Sequence, residues 1–129
     1  MTKFVKLWLP VIIWAAFIFY LSGIPHLKTN LAYDFALRKI AHAVEYFILT
    51  FLLYRAFNGS FDLSILYLFI YPAGFSLLYA MSDEFHQRFV AGRNGSIRDV
   101  LIDSIGIVGF YALLKMFRPK TRRSEKTIP

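Results

Sequence analysis

The stretch LWLPVIIWAAFIFYLSGI, residues 7–24, contains no charged side chain. The hydrocarbon core of a bilayer is about 30 Å thick, and a helix of roughly 20 apolar residues crosses it. Residues 7–24 therefore predict a membrane-spanning helix. Their apolar run is long for a signal peptide, and Leu21-Ser22-Gly23 is a poor cleavage site, so we expect this helix to be retained.

Three further apolar segments have the length of a membrane span, at residues 40–57, 63–81 and 100–117. The second span carries Glu45 and the fourth carries Asp103, so both are weaker hydropathy signals than the others. Four spans in so short a chain predict an all-α fold, a polytopic membrane protein whose four transmembrane helices form a small bundle.

The regions around the spans indicate one domain with a short tail. Residues 1–121 are predicted to form one transmembrane domain, and residues 122–129 a basic, disordered cytoplasmic tail. A short interfacial helix over residues 29–37, before the second span, is compatible with the sequence. Asn58-Gly59-Ser60 consists of frequent turn formers and predicts the turn between the second and third spans.

The composition excludes a soluble domain. Of the 129 residues, 57% are hydrophobic and 18% are charged, against roughly 45–50% and about 25% in ordinary globular chains. A soluble domain of this size could not bury so much apolar surface. The chain has no cysteine, which excludes disulfides, thiolate metal sites and cysteine nucleophiles.

The Lys and Arg residues predict the orientation, because they are enriched on the cytoplasmic side of membrane spans. With the N-terminus inside, the cytoplasmic set would be Lys3, Lys6, Arg55, Lys115, Arg118, Lys120, Arg122, Arg123 and Lys126. The smaller outer set would be Lys28, Arg38, Lys39, Arg88, Arg93 and Arg98. We therefore predict that both termini lie inside. The formal net charge of +7 is then mainly a topology signal, and no nucleic-acid partner is predicted, since the chain has no folded basic domain with interleaved aromatics.

The acids and histidines gather on the predicted outer side. The acids on that side are Asp34, Glu45, Asp83, Glu84, Asp99 and Asp103. Three pairs have the spacing of one helix face. These pairs are His42 with Glu45, Asp83 with Gln87, and Asp99 with Asp103. An acid within a span costs roughly 2.5–3.5 kcal/mol on insertion scales and normally faces protein or water. A bundle would therefore gather these groups into one shallow outer pocket.

Purely structural roles are open for the same residues. His42 and Glu45 could form hydrogen bonds between helices. Asp99 and Asp103 could pair with arginines and only fix the loop before the fourth span. Asp83-Glu84 could be a solvated helix end, although the C-terminal end of a helix is the unfavourable pole for acids.

Other small, polar and aromatic residues are predicted to have structural roles. Gly106 and Gly109 would allow close helix packing, although their spacing of three residues is not that of a GxxxG motif. Trp8 and Trp14 are predicted to be interface and packing residues. His86 is predicted to be an interfacial side chain without a chemical role.

Two blocks of these residues resemble the motifs of VanZ-like membrane proteins, the teicoplanin-resistance family. Residues 38–46, RKIAHAVEY, resemble the family's Lys-x-x-His-x-x-x-Tyr motif. Residues 82–106 resemble its second block, which reads Asp-Glu-x-x-Gln, then Gly-Arg, then Asp. Phe19-Tyr20-Leu21-Ser22 followed by Pro25 is similar to the ending of the family's first span. The resemblance covers nearly the whole chain, and Ala91 departs from it because relatives often have proline there.

The resemblance implies a small protein of the bacterial cytoplasmic membrane, similar to proteins that lower susceptibility to lipoglycopeptide antibiotics such as teicoplanin. The motif residues that carry over are Lys39, His42, Tyr46, Asp83, Glu84, Gln87, Gly92, Arg93, Asp99 and Asp103. They coincide with the outer polar residues found from spacing and charge. This coincidence favours a functional role over a purely structural one.

The first functional hypothesis is a binding module. An outward-facing pocket would recognise an anionic amphiphile, which could be a lipid-linked wall precursor, a phospholipid or the lipoglycopeptide itself. Arginine suits such a ligand because its planar fork matches phosphate and carboxylate groups. The residues predicted to bind the ligand are Lys39, Tyr46, Gln87, Arg93 and Asp99.

The second hypothesis is an intramembrane enzyme that acts on a lipid-linked head group by acid/base or metal-assisted chemistry. Its candidate catalytic residues are His42, Glu45, Asp83, Glu84 and Asp103. No metal or other cofactor is assigned, although an oxygen-rich set with one histidine would suit Mg²⁺, Mn²⁺ or Zn²⁺. A transporter or scaffold is a third hypothesis. Four spans are few for a transporter, and a homodimer would compensate for that.

Overall fold

The computed structural model describes residues 2–23, 34–89 and 97–117, apart from the side chains of residues 34–36. These residues contain no strand, and their helices are α1 (Lys3–Ser22), α2 (Asp34–Ser60), α3 (Ile65–Gln87) and α4 (Ile97–Phe117). The all-α fold is therefore confirmed. Each of the four helices is long and apolar enough to cross a membrane, as the four predicted spans require.

The helices extend beyond the predicted spans. α2 begins at Asp34 and runs without a break into the second span, so residues 34–37 are not part of a separate interfacial helix. Residues 29–33 of that prediction lie outside the described residues, as do residues 118–129 with the predicted tail. Polar residues that flank the predicted spans therefore belong to the same helices as the spans.

The turn predicted at Asn58-Gly59-Ser60 is wrong, because α2 continues through Ser60. The glycine serves helix packing instead. A Cβ atom at Gly59 would lie 2.6 Å from Cδ1 of Leu7, so a larger residue here would require the Leu7 side chain to move. The chain turns at residues 61–64.

Consecutive helices run antiparallel. Near the start of α1, the indole N–H of Trp8 donates a 2.8 Å hydrogen bond to Oγ of Ser60, at the end of α2. At the opposite end of the bundle, the amide nitrogen of Gln87 in α3 donates to Oγ of Ser22 in α1 at 3.3 Å. The ends of α1 and α3 and the starts of α2 and α4 therefore meet at one end of the molecule.

α2 and α4 form the most extensive helix pair, and their backbones touch at a glycine. A Cβ atom at Gly106 would lie 1.9 Å from the carbonyl oxygen of Ala43. The predicted close packing is thus confirmed at Gly106. At Gly109 a Cβ atom would lie 3.8 Å from the ring of Phe47, which is an ordinary contact, so this glycine is not required for the approach.

The outer surface of the bundle is apolar. Large hydrophobic side chains are exposed on all four helices. Examples are Ile12, Val44, Leu78, Leu101 and Met116. A soluble protein does not expose apolar side chains along every helix, whereas a membrane protein presents them to lipid. The chain is accordingly a multi-pass membrane protein.

Candidate functional site at one end of the bundle

The ionisable side chains meet at the end where α1 and α3 finish and α2 and α4 begin. We call this group the polar cluster and define it by its residues. They are Ser22, Lys39, His42, Glu45, Tyr46, Asp83, Glu84, Gln87, Asp99 and Asp103. All four helices contribute, and most members are buried. The cluster is therefore a feature of the folded bundle that no single helix creates.

An ion pair joins the starts of α2 and α4. The ammonium group of Lys39 donates to Oδ1 of Asp99. Asp99 lies in the first turn of α4, where a carboxylate also interacts favourably with the helix dipole. The sequence interpretation named Arg93 as a possible partner of this acid, and Arg93 lies outside the described residues. The structure shows Lys39 as a partner.

His42 lies between two carboxylates. Its Nδ1 atom is 3.7 Å from Oε2 of Glu45 on the same helix and 3.5 Å from Oδ1 of Asp103 on α4. The first contact follows from the spacing of three residues. The second follows from the contact between Gly106 and Ala43, since His42 and Asp103 each lie within one turn of it. The close approach of the two backbones at Gly106 and Ala43 thus positions this pair.

α3 contributes two adjacent acids, Asp83 and Glu84, and both are buried. They do not form the solvated helix end that the sequence allowed. The amide nitrogen of Gln87 lies 3.4 Å from Oδ2 of Asp83 and 3.3 Å from Oγ of Ser22. Gln87 therefore links the acidic end of α3 to the end of α1.

Two buried groups of the cluster make no hydrogen bond within the described part of the chain. They are the carboxylate of Asp103, at both oxygens, and the phenol oxygen of Tyr46. One turn deeper, the hydroxyl of Thr50 donates to the Tyr46 carbonyl at 2.7 Å and lies 2.9 Å from Oγ of Ser76. Because buried polar atoms nearly always have partners, these two groups are candidates for contact with a ligand, an ion or water.

One subset of the cluster has the composition of a metal site. His42, Glu84 and Asp103 each offer one donor atom, and these atoms lie within 4.8 Å of one another. The three residues come from α2, α3 and α4. An imidazole and two carboxylates are donors that divalent transition-metal ions accept.

The structure brings together nine of the ten predicted site residues. These are His42, Glu45, Asp83, Glu84 and Asp103 of the catalytic prediction, and Lys39, Tyr46, Gln87 and Asp99 of the binding prediction. The tenth, Arg93, lies outside the described residues. Their proximity is an observation, whereas the chemical roles assigned to them stay predictions.

Ser22 is a cluster residue that the sequence interpretation does not select. It is buried and accepts the hydrogen bond of Gln87. Its position in the Phe19–Ser22 segment, which resembles the family's first-span ending, is the signal that would have identified it. His86 has a packing role, since its ring stacks on Phe19 with centroids 4.3 Å apart.

Four helices of membrane-spanning length around a buried polar cluster define a small polytopic membrane protein. The sequence model of the VanZ/LLP1 family matches residues 7–118, and the chain belongs to this family. It is also similar to the uncharacterized membrane protein YwnJ of Bacillus subtilis (strain 168), with 36% identity over 115 residues that cover 83% of this chain and 74% of that protein. No solved structure matches the chain significantly. The resemblance to VanZ-like proteins is thereby confirmed.

Proposed function

We propose that the chain is an envelope protein of the teicoplanin-resistance type, whose polar cluster faces outward and binds the head group of an anionic amphiphile. The observation that carries this proposal is the position of the cluster. Its buried polar groups lie at one end of a bundle whose sides are apolar and exposed. An amphiphile has the same division, because its head is polar and its tail is apolar. Membership of the VanZ/LLP1 family supports the envelope location.

Exposed apolar side chains adjoin the cluster on two helices. On α2, Ile40 and Val44 are exposed immediately beside cluster residues. On α4, Leu101 and Ile105 are exposed on either side of Asp103. Such surfaces face lipid, so a hydrocarbon chain can lie along them while the attached head group reaches the cluster. This arrangement suits a ligand that arrives from within the membrane.

Basic side chains provide the contact with the anionic head group. Lys39 is held by Asp99, which keeps its ammonium group at the edge of the cluster. Arg93 is the second contact that we propose, since its guanidinium can bind phosphate or carboxylate through two parallel hydrogen bonds. The acids orient these groups and accept hydrogen bonds from sugar or peptide groups of the ligand.

Binding is tested with the purified full chain in detergent micelles. Phosphatidylglycerol, a polyprenyl pyrophosphate and teicoplanin serve as separate probes and distinguish a phospholipid, a lipid-linked precursor and the antibiotic. We expect Arg93→Ala and Lys39→Gln each to weaken binding of the preferred probe at least tenfold, which corresponds to about 1.4 kcal/mol. Arg55→Ala is the matched control, because Arg55 is an exposed arginine near the other end of α2, and it should leave the affinity unchanged.

Two outcomes contradict the binding proposal. One is a wild-type chain that binds none of the three probes, and the other is an Arg93→Ala variant that binds as tightly as wild type. Lys39→Gln also breaks an ion pair, so its effect on folding must be separated from its effect on binding. The double variant Lys39→Gln with Asp99→Asn removes both charges of the pair, and it should fold and still bind the probe weakly.

The outward orientation is a separate part of the proposal. The chain has no cysteine, so single introduced cysteines report which side of the membrane they occupy. A membrane-impermeant maleimide should label Asn94→Cys in intact cells, because residue 94 connects α3 to α4 at the polar end. It should label Asp62→Cys, at the opposite end, only after permeabilisation. The reverse pattern places the cluster in the cytoplasm and overturns this part.

A second candidate function is an intramembrane enzyme acting on a lipid-linked head group. The observation that favours it is the fully buried Asp103 with an oxygen 3.5 Å from Nδ1 of His42. In a hydrolysis, one of these groups would take the proton of the attacking water while a cluster acid protonates the leaving oxygen. Asp103→Asn and Glu45→Gln should then abolish phosphate release from a polyprenyl pyrophosphate without abolishing its binding. Full phosphate release by both variants would exclude this enzyme.

A cellular measurement tests both functions together. Expression of the wild-type chain in a teicoplanin-susceptible bacterium should raise the concentration of drug that the cells tolerate. Arg93→Ala should lose this effect if binding is the function, and Asp103→Asn should lose it if turnover is required. If both variants reach wild-type levels in the membrane and give wild-type tolerance, neither function accounts for the protein.

A further inference from the structure

We infer that His42, Glu84 and Asp103 form a binding site for a divalent transition-metal ion, Mn²⁺ or Zn²⁺. This inference goes beyond the proposed function, which requires no metal. Each of α2, α3 and α4 supplies one ligand, so the ion would join three of the four helices at the polar end of the bundle.

The donor atoms are spaced as a metal site requires. One donor atom from each of the three residues lies within 4.8 Å of the other two, and Nδ1 of His42 is 3.5 Å from Oδ1 of Asp103. Two ligand atoms bound tetrahedrally to one ion at about 2.0–2.2 Å lie roughly 3.3–3.6 Å apart. The histidine and aspartate atoms already have this spacing, and the Glu84 donor atom, within 4.8 Å of the other two donor atoms, completes the set when its carboxylate turns toward them.

The burial of Asp103 is an independent observation that points to a ligand. Its side chain is 0% exposed, and within the described residues neither of its carboxylate oxygens has a hydrogen-bond partner. Taking an ionised carboxylate out of water costs several kcal/mol unless the charge is compensated. Coordination to a cation provides that compensation, and the oxygen that faces His42 is placed to supply it.

The donor set narrows the choice of ion. Ca²⁺ takes roughly six to eight oxygen ligands, and Mg²⁺ retains several waters and prefers oxygen. An imidazole suits Zn²⁺, carboxylates suit Mn²⁺, and the site contains both kinds of donor. Three protein ligands leave a further coordination position for a water molecule or a ligand oxygen, as in catalytic zinc sites.

A bound cation also removes an electrostatic conflict, and this consequence alone rests on the proposed function. The cluster contains five acids. They are Glu45, Asp83, Glu84, Asp99 and Asp103. Their negative charges repel an anionic head group. A divalent ion among them offsets two of these negative charges, so an anionic amphiphile should bind more tightly when the metal is present.

The site is tested with the full chain in detergent micelles, stripped of metal with EDTA and dialysed. Titration with MnCl₂, with free Mn²⁺ followed by electron paramagnetic resonance, should show one bound ion per chain that Zn²⁺ displaces. The ion should also raise the unfolding temperature, because a ligand that binds only the folded state stabilises it. Asp103→Asn should abolish that rise and weaken binding by more than the roughly 10–100-fold typical of residues around the metal ligands.

The controls decide whether the ion occupies this site. Asp62→Asn removes an exposed acid at the opposite end of the bundle, and it should bind Mn²⁺ as wild type does. Glu84→Gln provides a second ligand variant in case Asp103→Asn fails to fold. A wild-type chain that binds neither Mn²⁺ nor Zn²⁺, or ligand variants that bind Mn²⁺ as wild type does, overturns the site. Probe binding that persists in EDTA would then leave the proposed function intact.

Discussion

The two ends of the bundle differ in whether their buried polar side chains form hydrogen bonds. At one end, the Trp8 indole donates to Ser60 at 2.8 Å, and the Tyr111 hydroxyl donates to a backbone carbonyl of α3 at 2.9 Å. At the other end, Asp103 and Tyr46 are fully buried, yet their polar side-chain atoms make no hydrogen bond within the described residues. The first end satisfies its polar atoms internally. Among the described residues, the second leaves the side-chain oxygens of Asp103 and Tyr46 without hydrogen bonds, at a cost in stability.

Ring packing strengthens the contrast. At the hydrogen-bonded end, the ring of Phe57 contacts those of Trp8, Tyr71 and Phe75 with centroids 5.1–5.7 Å apart. Aromatic contacts of this kind contribute packing energy and do not depend on charge. Substitutions at that end should therefore change stability alone, whereas substitutions in the polar cluster should also change ligand binding.

The largest effect is expected for Gly106→Ala, which would disrupt the contact between α2 and α4 at the polar end of the bundle. The added methyl group would collide with the Ala43 carbonyl, so α2 and α4 must separate. We expect a loss of about 3 kcal/mol or more, measured by thermal unfolding in detergent, together with loss of Mn²⁺ binding. Gly74→Ala is the matched control, since no atom lies within 4 Å of a Cβ atom there. Equal stability of the two variants would mean that the glycine contact does not hold the helices together.

A smaller effect of opposite sign is expected for Asp103→Asn in metal-free protein. Asparagine keeps the shape of the side chain and cannot ionise, so it removes the cost of burying this carboxylate, whether as a charge or after uptake of a proton. The variant should therefore be more stable than wild type by about 1–3 kcal/mol, measured by the same unfolding experiment in EDTA. If it were instead less stable by this amount, the carboxylate would be a structural group, and the two ends would not differ in kind.

The smallest effect is expected for a pair of hydroxyl deletions, one at each end. Tyr111→Phe removes a hydrogen bond and should cost about 1 kcal/mol. Tyr46→Phe removes a hydroxyl that makes no hydrogen bond within the described residues, and the unfolding free energy should stay within about 0.5 kcal/mol of wild type. Equal losses in the two variants would remove the distinction between the ends.

The fold could be predicted because an uncharged run of membrane length has few alternative structures. Spacing along single helices also predicted which residues share a face, as for His42 and Glu45. The sequence could not supply contacts between helices. The same local pattern at Gly59 is compatible with a turn and with close packing, and the sequence does not show that Leu7 of another helix lies against this glycine.

Distances between helices account for what was missed at the candidate site. Lys39 and Asp99 are far apart in the sequence, so their pairing depends on how α2 and α4 cross. Ser22 carries no charge and lies at the end of an apolar span, so neither charge nor spacing marked it as a candidate site residue. Its contact with Gln87 exists only because α1 and α3 end side by side.

The contact at Gly106 also limits how the protein can move. If α4 shifted and rotated by one residue relative to α2, the side chain of Ile105 or Ile107 would take the place of Gly106 at the Ala43 carbonyl. α2 and α4 therefore act as a fixed half that holds His42 and Asp103 at constant spacing. Glu84, the third residue of the proposed metal site, belongs to α3, whose contact with α4 is less extensive than that of α2. Any motion of α3 against α2 and α4 would therefore change the position of Glu84 relative to His42 and Asp103.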